Sequence, residues 1–415
     1  MSSQPAFSSQ ALPAPAARHP ITLPHFRNLW IGATVSQLGD QFYLVALPWL
    51  ALQLTGSSLA LGTLLMIAGI PRAALMLVGG AVIDRFSARR VLMATAATRF
   101  VLVGAVAVLV WLDLIQLWEL YVLTLAFGMA DAFSFPAGPA LIPTLVQPEQ
   151  IRPANALMQS STVMSQMVGP APAGLIIKRW GVASALFFDA LSFVAVIVAL
   201  LKVPDPPKAP AAGAARPNMF HSIAEGLRAV RNDPPLFSMM ALFATINLCI
   251  AGPIGVGLAS LAKFNFGSAA AYGTFLSCFS GGTLVGMFLG GMVKRPRRRG
   301  LQFILMSLLC GLELIVIGLI LKVAAIAVLL AVMGLGVGFV NIQFSAWIQL
   351  RVDRAILGRV MSVLMFSAVG LVPVSYAISG VLASWSLPAL FVGAGTILAA
   401  SSVLALARKG AREID

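Results

Sequence analysis

Charge is what this sequence has least of. Only 10% of its 415 residues are Asp, Glu, Lys or Arg, while 59% are hydrophobic; a soluble domain carries about a quarter charged residues. The surplus apolar surface has to face lipid, which makes a bilayer the solvent. Histidine is nearly absent: His19, His25 and His221 fall in tails or loops, which argues against a histidine-based proton relay within a membrane. The three cysteines, Cys249, Cys278 and Cys310, sit in apolar runs with no metal-ligand or disulfide spacing. There is no phosphate-binding P-loop and no Ser, His and Asp set in a soluble region. ATP-driven pumping by this chain alone and hydrolytic catalysis are therefore not expected, and no enzyme activity, cofactor or metal is implied. The net charge of +14 comes in short clusters between apolar runs. That is a membrane pattern, not the aromatic-interleaved basic stripe of a nucleic-acid binder.

What is present is a series of apolar runs of about 20 residues, each long enough to cross a bilayer as a helix. They predict spans over 28–53, 58–83, 90–112, 118–141, 154–177 and 181–202, then 236–259, 269–293, 301–321, 323–345, 358–383 and 387–407. The cut near Lys322 is the least marked. Residues 1–27 read as a cytoplasmic tail and not as a cleaved signal peptide. Residues 28–202 form a first six-helix bundle, 203–235 a cytoplasmic linker, 236–407 a second bundle and 408–415 a cytoplasmic tail. The linker carries Pro204, Pro206, Pro207 and Pro210, with a short surface helix expected around Ile223–Val230.

Lys and Arg set the orientation. With twelve spans, 22 of the 28 basic residues fall on the side that holds both termini and the linker. Four, Lys178, Arg179, Lys263 and Lys322, fall on the other, and Arg72 and Arg99 lie inside spans. That bias predicts both termini in the cytoplasm of a multi-pass inner-membrane protein. A weak repeat accompanies it. Gly79-Gly80-Ala81-Val82 ends span two and Gly290-Gly291-Met292-Val293 ends span eight, each before a basic loop. Ile151–Met158 and Leu357–Leu364 likewise open spans five and eleven, and the two offsets are 211 and 206 residues. Two parallel six-span halves explain both.

Polar groups inside a bilayer are expensive, so each needs a partner, a wet cavity or a function. Asp40 lies in the middle of span one, flanked by Gln37 and Gln41, and Arg72 in the middle of span two. At matching depth on antiparallel neighbours, they are expected to approach as an ion pair or share a water. Asp40 then reads either as a protonatable switch whose proton is loaded and released as Arg72 moves, or as half of a static pair that fixes register. Thr124, Gly128 and Asp131 recur at helical spacing in span four. Asp131 serves substrate or proton binding, or else pairs structurally with Arg99. Asn155, Gln159, Thr162, Gln166 and Gly169 share one face of span five, suited to cavity lining or to interhelical hydrogen bonds. Asn247, Asn341 and Gln343 are candidates for the cavity's other half. Asp189, placed toward the outer side, and Glu313 are weaker candidates. Gly169, Pro170, Pro172 and Gly174 predict a kinked, closely packed hinge in span five.

Gly80, Asp84, Arg85, Arg89 and Arg90 resemble the loop-2/3 signature of the major facilitator superfamily, with Ser87 where that pattern has glycine. Gly169, Pro170 and Gly174 resemble the span-five motif of its antiporter members. Phe26-Arg27-Asn28-Leu29-Trp30, Leu38-Gly39-Asp40, Pro71-Arg72, Leu141-Ile142-Pro143, Ala154-Asn155-Ala156-Leu157 and Gly358-Arg359-Val360-Met361-Ser362 are similar to the branch containing the enterobactin exporter and macrolide efflux proteins. The resemblance implies an all-α membrane fold of twelve helices in two pseudo-symmetric six-helix bundles, rocking about a central site by alternating access. It implies a cytoplasmic gate at Asp84 and its basic neighbours, and a monomer among membrane lipids. With the buried charges it points to proton-coupled efflux of a hydrophobic or amphipathic small molecule, such as a drug, a macrolide-like compound or a siderophore. Asp40, Arg72 and Asp131 would couple protons, and Gln37, Gln41, Gln159, Thr162, Gln166, Asn247 and Asn341 would line the cavity. A lysophospholipid or lipid flippase of the same fold, and a non-transporting scaffold or sensor, are the alternatives.

Overall fold

A computed structural model describes residues 19–204, 219–293 and 298–407. Among these the ordered chain is helical: α1 (Pro24–Thr55), α2 (Ser58–Phe86), α3 (Ala88–Trp111), α4 (Leu117–Leu141), α5 (Ile151–Val168), α6 (Pro170–Trp180), α7 (Val182–Leu201), α8 (Met219–Asn232), α9 (Pro234–Gly252), α10 (Leu258–Phe264), α11 (Ala269–Met292), α12 (Arg299–Leu319), α13 (Val323–Arg351), α14 (Arg354–Met365), α15 (Val372–Trp385) and α16 (Leu387–Ala407). Helix is the form that satisfies each backbone group within its own segment in lipid. Three spans are each assembled from two helices. α5 and α6 meet at Gly169; α9 and α10 join through a π turn, Pro253–Gly257; α14 and α15 join through another, Phe366–Gly370. The result is twelve membrane-crossing columns plus α8. Among the described residues, nine segments are apolar and long enough to cross by that test alone. The columns of α1, α2 and α5–α6 are not among them; α1 and α5 are rich in polar residues.

The packing repeats between the halves. In the first, α1 packs against α7 and α5, α2 against α4, and α3 against α7 and α4. In the second, α9 packs against α16 and α15, α11 against α13, and α12 against α16 and α13. These are the same span pairings, which is what the weak sequence repeat requires. The halves meet where α2 crosses α15 and where α5 and α6 cross α11.

Glycines set how closely those crossings approach. A Cβ on Gly62 would stand 2.6 Å from the Gly380 Cα and 2.6 Å from the Tyr376 carbonyl oxygen. A Cβ on Gly273 would overlap the Pro170 carbonyl, and one on Gly174 the carbonyl of Ala269. Both crossings lie near the span ends remote from the described chain termini. There the Ser58 and Ser260 hydroxyls share a 2.8 Å hydrogen bond, and the Lys263 ammonium sits 4.7 Å from the Trp49 ring centre. The Ala171 N–H, between two prolines, donates to the Ser277 hydroxyl at 3.0 Å.

The cut near Lys322 falls between α12 and α13, and α13 continues to Arg351, beyond the expected 345. At the span-five interruption Gly169 keeps helical angles (φ −66°, ψ −44°), so the backbone runs on while Pro170 and Pro172 withhold their hydrogen bonds, and the closest packing there is of α6 against α11. The linker helix is longer than expected, Met219–Asn232, and it packs on α14, where the Arg359 guanidinium meets Glu225 at 3.0 Å. Residues 1–18, 205–218, 294–297 and 408–415 lie outside the described residues.

Candidate functional site

The intramembrane charges gather in the first bundle, and they pair differently from the expected Asp40–Arg72 contact. Arg99 on α3 binds Asp40 on α1 at 2.6 Å and approaches Asp131 on α4 to 3.8 Å. Arg72 on α2 binds Asp131 at 3.0 Å. The charges therefore form a chain, Asp40–Arg99–Asp131–Arg72, with Arg99 between two carboxylates. The correction follows from helix order: α1 packs chiefly on α7, which in turn packs on α3, whereas α2 packs on α4. Spans adjacent in sequence are not the nearest partners in the bundle.

Arg99 is held on both faces. Its guanidinium carbon lies 4.6 Å from the ring centres of Phe127 on α4 and Phe193 on α7. Two aromatic faces and two carboxylates replace the water that a cation leaves behind on burial. Sequence reading noted Arg99 only as a partner for Asp131 and missed its role as the hub. Its signal was the same as that of Arg72, a lone cation in an apolar run.

The network borders a cavity. Arg72, Asp131, Tyr43, Phe127 and Gly128 form one wall, and Ala368, Val372, Pro373 and Tyr376 of the second bundle form the other. It encloses about 930 Å³, partly open to solvent. Arg72 has 48% of its side chain exposed here, against 11% for Arg99. The stripe on α4 is legible in this geometry: Gly128 abuts the Ala68 carbonyl of α2, Thr124 is buried, and Asp131 reaches the cavity edge. A second lobe of about 830 Å³ lies inside the second bundle, lined by Asn247, Asn341, Cys310 and Ser307 among apolar groups. Ala368, in the π turn of Phe366–Gly370, borders both lobes. Asn247 donates to the Phe243 carbonyl at 2.9 Å and leaves its amide oxygen for the lobe. Gln343 is tied to the Gly290 carbonyl at 2.6 Å.

On α5, Asn155, Gln159 and Gln166 are exposed, while Thr162 is half-buried and bonds the Met158 carbonyl. Gln41 is buried in the crossing of α1 with α5 and α6, where its stem fills the space beside Gly169. Gln41 donates weakly to the Gln37 carbonyl at 3.3 Å, and the buried side-chain oxygens of Gln37 and Gln41 have no partner. Neither glutamine is part of the two lobes' walls. Pro170 and Gly174 are buried at the α6–α11 crossing, and Pro172 is exposed.

Of the expected gate, Gly80, Asp84 and Arg85 lie within α2, and their side chains fall outside the described residues. Arg89 donates from Nε to the Leu200 carbonyl at 2.9 Å, a bond inside the first bundle and not between the halves. Arg90 is exposed, and its N–H is capped by the Ser87 hydroxyl. Asp189, expected toward the outer side, is fully buried on α7 in the network's own neighbourhood. Glu313 is buried on α12 within the second bundle. Among the described residues no group of His, Cys, Asp and Glu is arranged to hold a metal.

Comparison with known proteins places this geometry in a family. Residues 29–374 match the sequence profile of the Major Facilitator Superfamily. Macrolide efflux protein A of Streptococcus pyogenes is 26% identical over 81% of this chain and 84% of its own. The multidrug efflux pump Tap of Mycolicibacterium fortuitum is 26% identical over 96% of this chain and 98% of its own. Among solved structures, a bacterial homologue of the iron transporter ferroportin in an inward-facing state superposes with TM-score 0.72 at 17% identity, over 92% of this chain and 98% of that one. The latter likeness speaks to the fold alone.

Proposed function

The chain belongs to the Major Facilitator Superfamily, a family of transporters and not of enzymes, and on that premise we propose that it is a proton-coupled exporter of hydrophobic or amphipathic small molecules. The observation that carries the reading is the network Asp40–Arg99–Asp131–Arg72 beside a cavity shared by the two bundles. Arg99 stands 2.6 Å from one carboxylate and 3.8 Å from the next. A rocking motion that shortens one contact lengthens the other and frees a carboxylate to take a proton. Asp40 is the leading proton site, with Arg99 as the moving counter-charge and Asp131 and Arg72 opening toward substrate. Macrolide and multidrug efflux pumps among the relatives support an amphipathic cargo. The two lobes suit it, since their walls are mainly apolar with a few convergent amides.

The basic-residue bias supports both termini and the 203–235 linker in the cytoplasm of an inner membrane. The glycine-sealed crossings then lie on the outer side. The cavity faces the cytoplasm, the state in which an exporter loads cargo. Asp84 with its basic neighbours acts as the cytoplasmic latch in the opposite state. The protein works as a monomer among membrane lipids.

The test uses the full chain in proteoliposomes with an imposed pH gradient and two probes, a macrolide antibiotic and an amphipathic fluorescent dye. Wild type should move at least one probe against its gradient, and Asp40→Asn should abolish gradient-driven movement while leaving downhill exchange. Undiminished gradient-driven transport by Asp40→Asn removes Asp40 from the mechanism.

A further inference from the structure

The charge network has one carboxyl too many. Asp40, Asp131 and Asp189 face two arginines, Arg72 and Arg99, and the first two acids take both cations. Asp189 has no solvent exposure, and among the described residues neither of its carboxylate oxygens has a hydrogen-bond partner of good geometry. The Ser192 hydroxyl beside it donates to the Asp189 main-chain carbonyl at 2.7 Å. A bare carboxylate in such a place carries the full desolvation cost, whereas the neutral acid does not.

Its position ties it to the network. Phe193 stands one helical turn beyond Asp189, on the same face of α7, and its ring is one of the two that clasp Arg99. On the facing helix, Gly39 immediately precedes Asp40. A Cβ on Gly39 would overlap the Ser192 hydroxyl and come within 3.0 Å of Asp189 Oδ1. Glycine at that position is what lets Asp189 lie so close to the backbone of Asp40. The ionisable groups around Asp189 are Asp40 and Tyr43 from α1 and Arg99 from α3. α6 also packs on α7, and its ionisable groups, Lys178 and Arg179, are exposed at its far end.

We propose that Asp189 is a second proton site: it holds a proton while Arg99 is engaged with Asp40, and passes that proton to Asp40 when Arg99 turns toward α7. The transfer balances. The Asp189 O–H bond breaks and an O–H bond forms on the Asp40 carboxylate; Asp189, now anionic, takes Arg99 as its counter-ion. The net charge of the five groups is zero before and after. The inference rests on the exporter reading for its purpose, but the resident proton is a property of the resting protein.

The test is infrared difference spectroscopy on the full-length protein in liposomes, without substrate or pH gradient. It reads the deuterium-sensitive carbonyl stretch of a protonated carboxyl. Glu313→Gln serves as background, because Glu313 is a second buried acid with an unpartnered oxygen. In that background a one-carboxyl band should be present at neutral pH and lost in Asp189→Asn. It should be lost in Asp40→Asn as well, because removing that acid ends the surplus and lets Asp189 ionise beside Arg99. A band absent from the background protein, or retained in Asp189→Asn, overturns the assignment. A band retained in Asp40→Asn overturns the coupling between the two acids. If Asp189→Asn does not fold, Asp189→Glu takes its place: the band should persist at a shifted frequency, and a band at an unchanged frequency overturns the assignment. Transport failure by Asp40→Asn reports on the exporter reading, and the infrared band reports on the proton alone, so either can fail separately.

Discussion

Replacing Arg99 by methionine removes the hub of the network and keeps most of the side chain's volume. Breaking a buried pair by deleting one partner costs about 3–5 kcal/mol, because a charge is left uncompensated. Here the orphan is Asp40, whose contact with Arg99 is the shorter one at 2.6 Å; Asp131 keeps Arg72 at 3.0 Å. Loss of the cation from between Phe127 and Phe193 adds ~1 kcal/mol per ring. For a bundle of this size the pair loss alone lowers the unfolding midpoint by roughly 6–20 °C. Two reporters separate the halves during heating. With Trp347 and Trp385 replaced by phenylalanine, the five remaining tryptophans, Trp30, Trp49, Trp111, Trp118 and Trp180, lie in the first bundle, whereas the three free cysteines lie in the second. Tryptophan emission should therefore shift at lower temperature in Arg99→Met, while labelling of the cysteines by a thiol-reactive dye lags behind. Adding Asp40→Asn removes the orphan and should recover at least half of the loss. The pairing described here is wrong if Arg99→Met melts with wild type, or if the double variant is no more stable than the single one.

Three further outcomes follow from particular residues. Ser87 holds φ 63° and ψ 142°, a conformation that glycine occupies far more cheaply; Ser87→Gly should stabilise the first bundle by about 0.5–1 kcal/mol in a thermal melt, even after the lost cap to Arg90, and a destabilised variant refutes the strain. Gly62→Val should wedge α2 from α15, lengthening the distance between spin labels on Leu54 and Asn265 in a cysteine-free background; an unchanged distance in folded protein means that the glycine contact does not seal that end. Asp233 caps α9 through the Leu236 N–H and forms a two-point ion pair with Arg351 at 2.9 and 3.0 Å. Partial burial opposes its charge, but the hydrogen bonds from Arg351 and from the Leu236 N–H, with the Arg351 charge, outweigh that and hold Asp233 below the usual carboxylate range. A depressed folded value means stability present at neutral pH and lost as pH falls through it. Wild type should thus melt above Asp233→Asn at pH 7, with the gap closing below about pH 4; a gap that widens in acid contradicts the pairing.

Much of the fold was legible because membrane spans announce themselves by length and apolarity. Even the weak boundary at Lys322 fell where the chain leaves α12. The interrupted hydrogen-bond ladder in span five was readable from Pro170 and Pro172, since proline donates no backbone hydrogen bond. The π turns at Pro253–Gly257 and Phe366–Gly370 were not readable, because a π turn and an α turn share the same apolar pattern. The site was legible by type and not by partner. Asp40, Arg72, Asp131 and Arg99 stood out as costly residues, but depth alone could not tell which cation meets which acid. That depends on helix order around the bundle, and α7, the last span of its half, sits between α1 and α3. Asp189 was undervalued for the same reason: its neighbours come from the start of the chain.

The backbone is pseudo-symmetric, but the charges are not. Moving each network position forward by the repeat offset of 206–211 residues lands near Asn247 and Cys249 for Asp40, Gly281 for Arg72, Cys310 for Arg99, Asn341 for Asp131 and Leu398 for Asp189, with no Asp, Glu, Lys or Arg in any of those windows. Three of those neutral residues, Asn247, Cys310 and Asn341, line the second lobe. One half thus keeps ion pairs where the other keeps amides and a thiol in an open space. Burying a charge demands a counter-charge from a specific neighbouring helix, whereas an amide tolerates many partners. On the proposed reading this divides the work. The first bundle answers to the proton, and the second offers a surface permissive enough for varied amphipathic cargo. The π turn at Phe366–Gly370 places Ala368 on the border of both lobes. Moving an acid into the second lobe, as in Asn341→Asp, should accordingly narrow the range of cargo toward cations without supplying a second coupling site, because the position of α12 that matches Arg99 is held by Cys310 and not by an arginine.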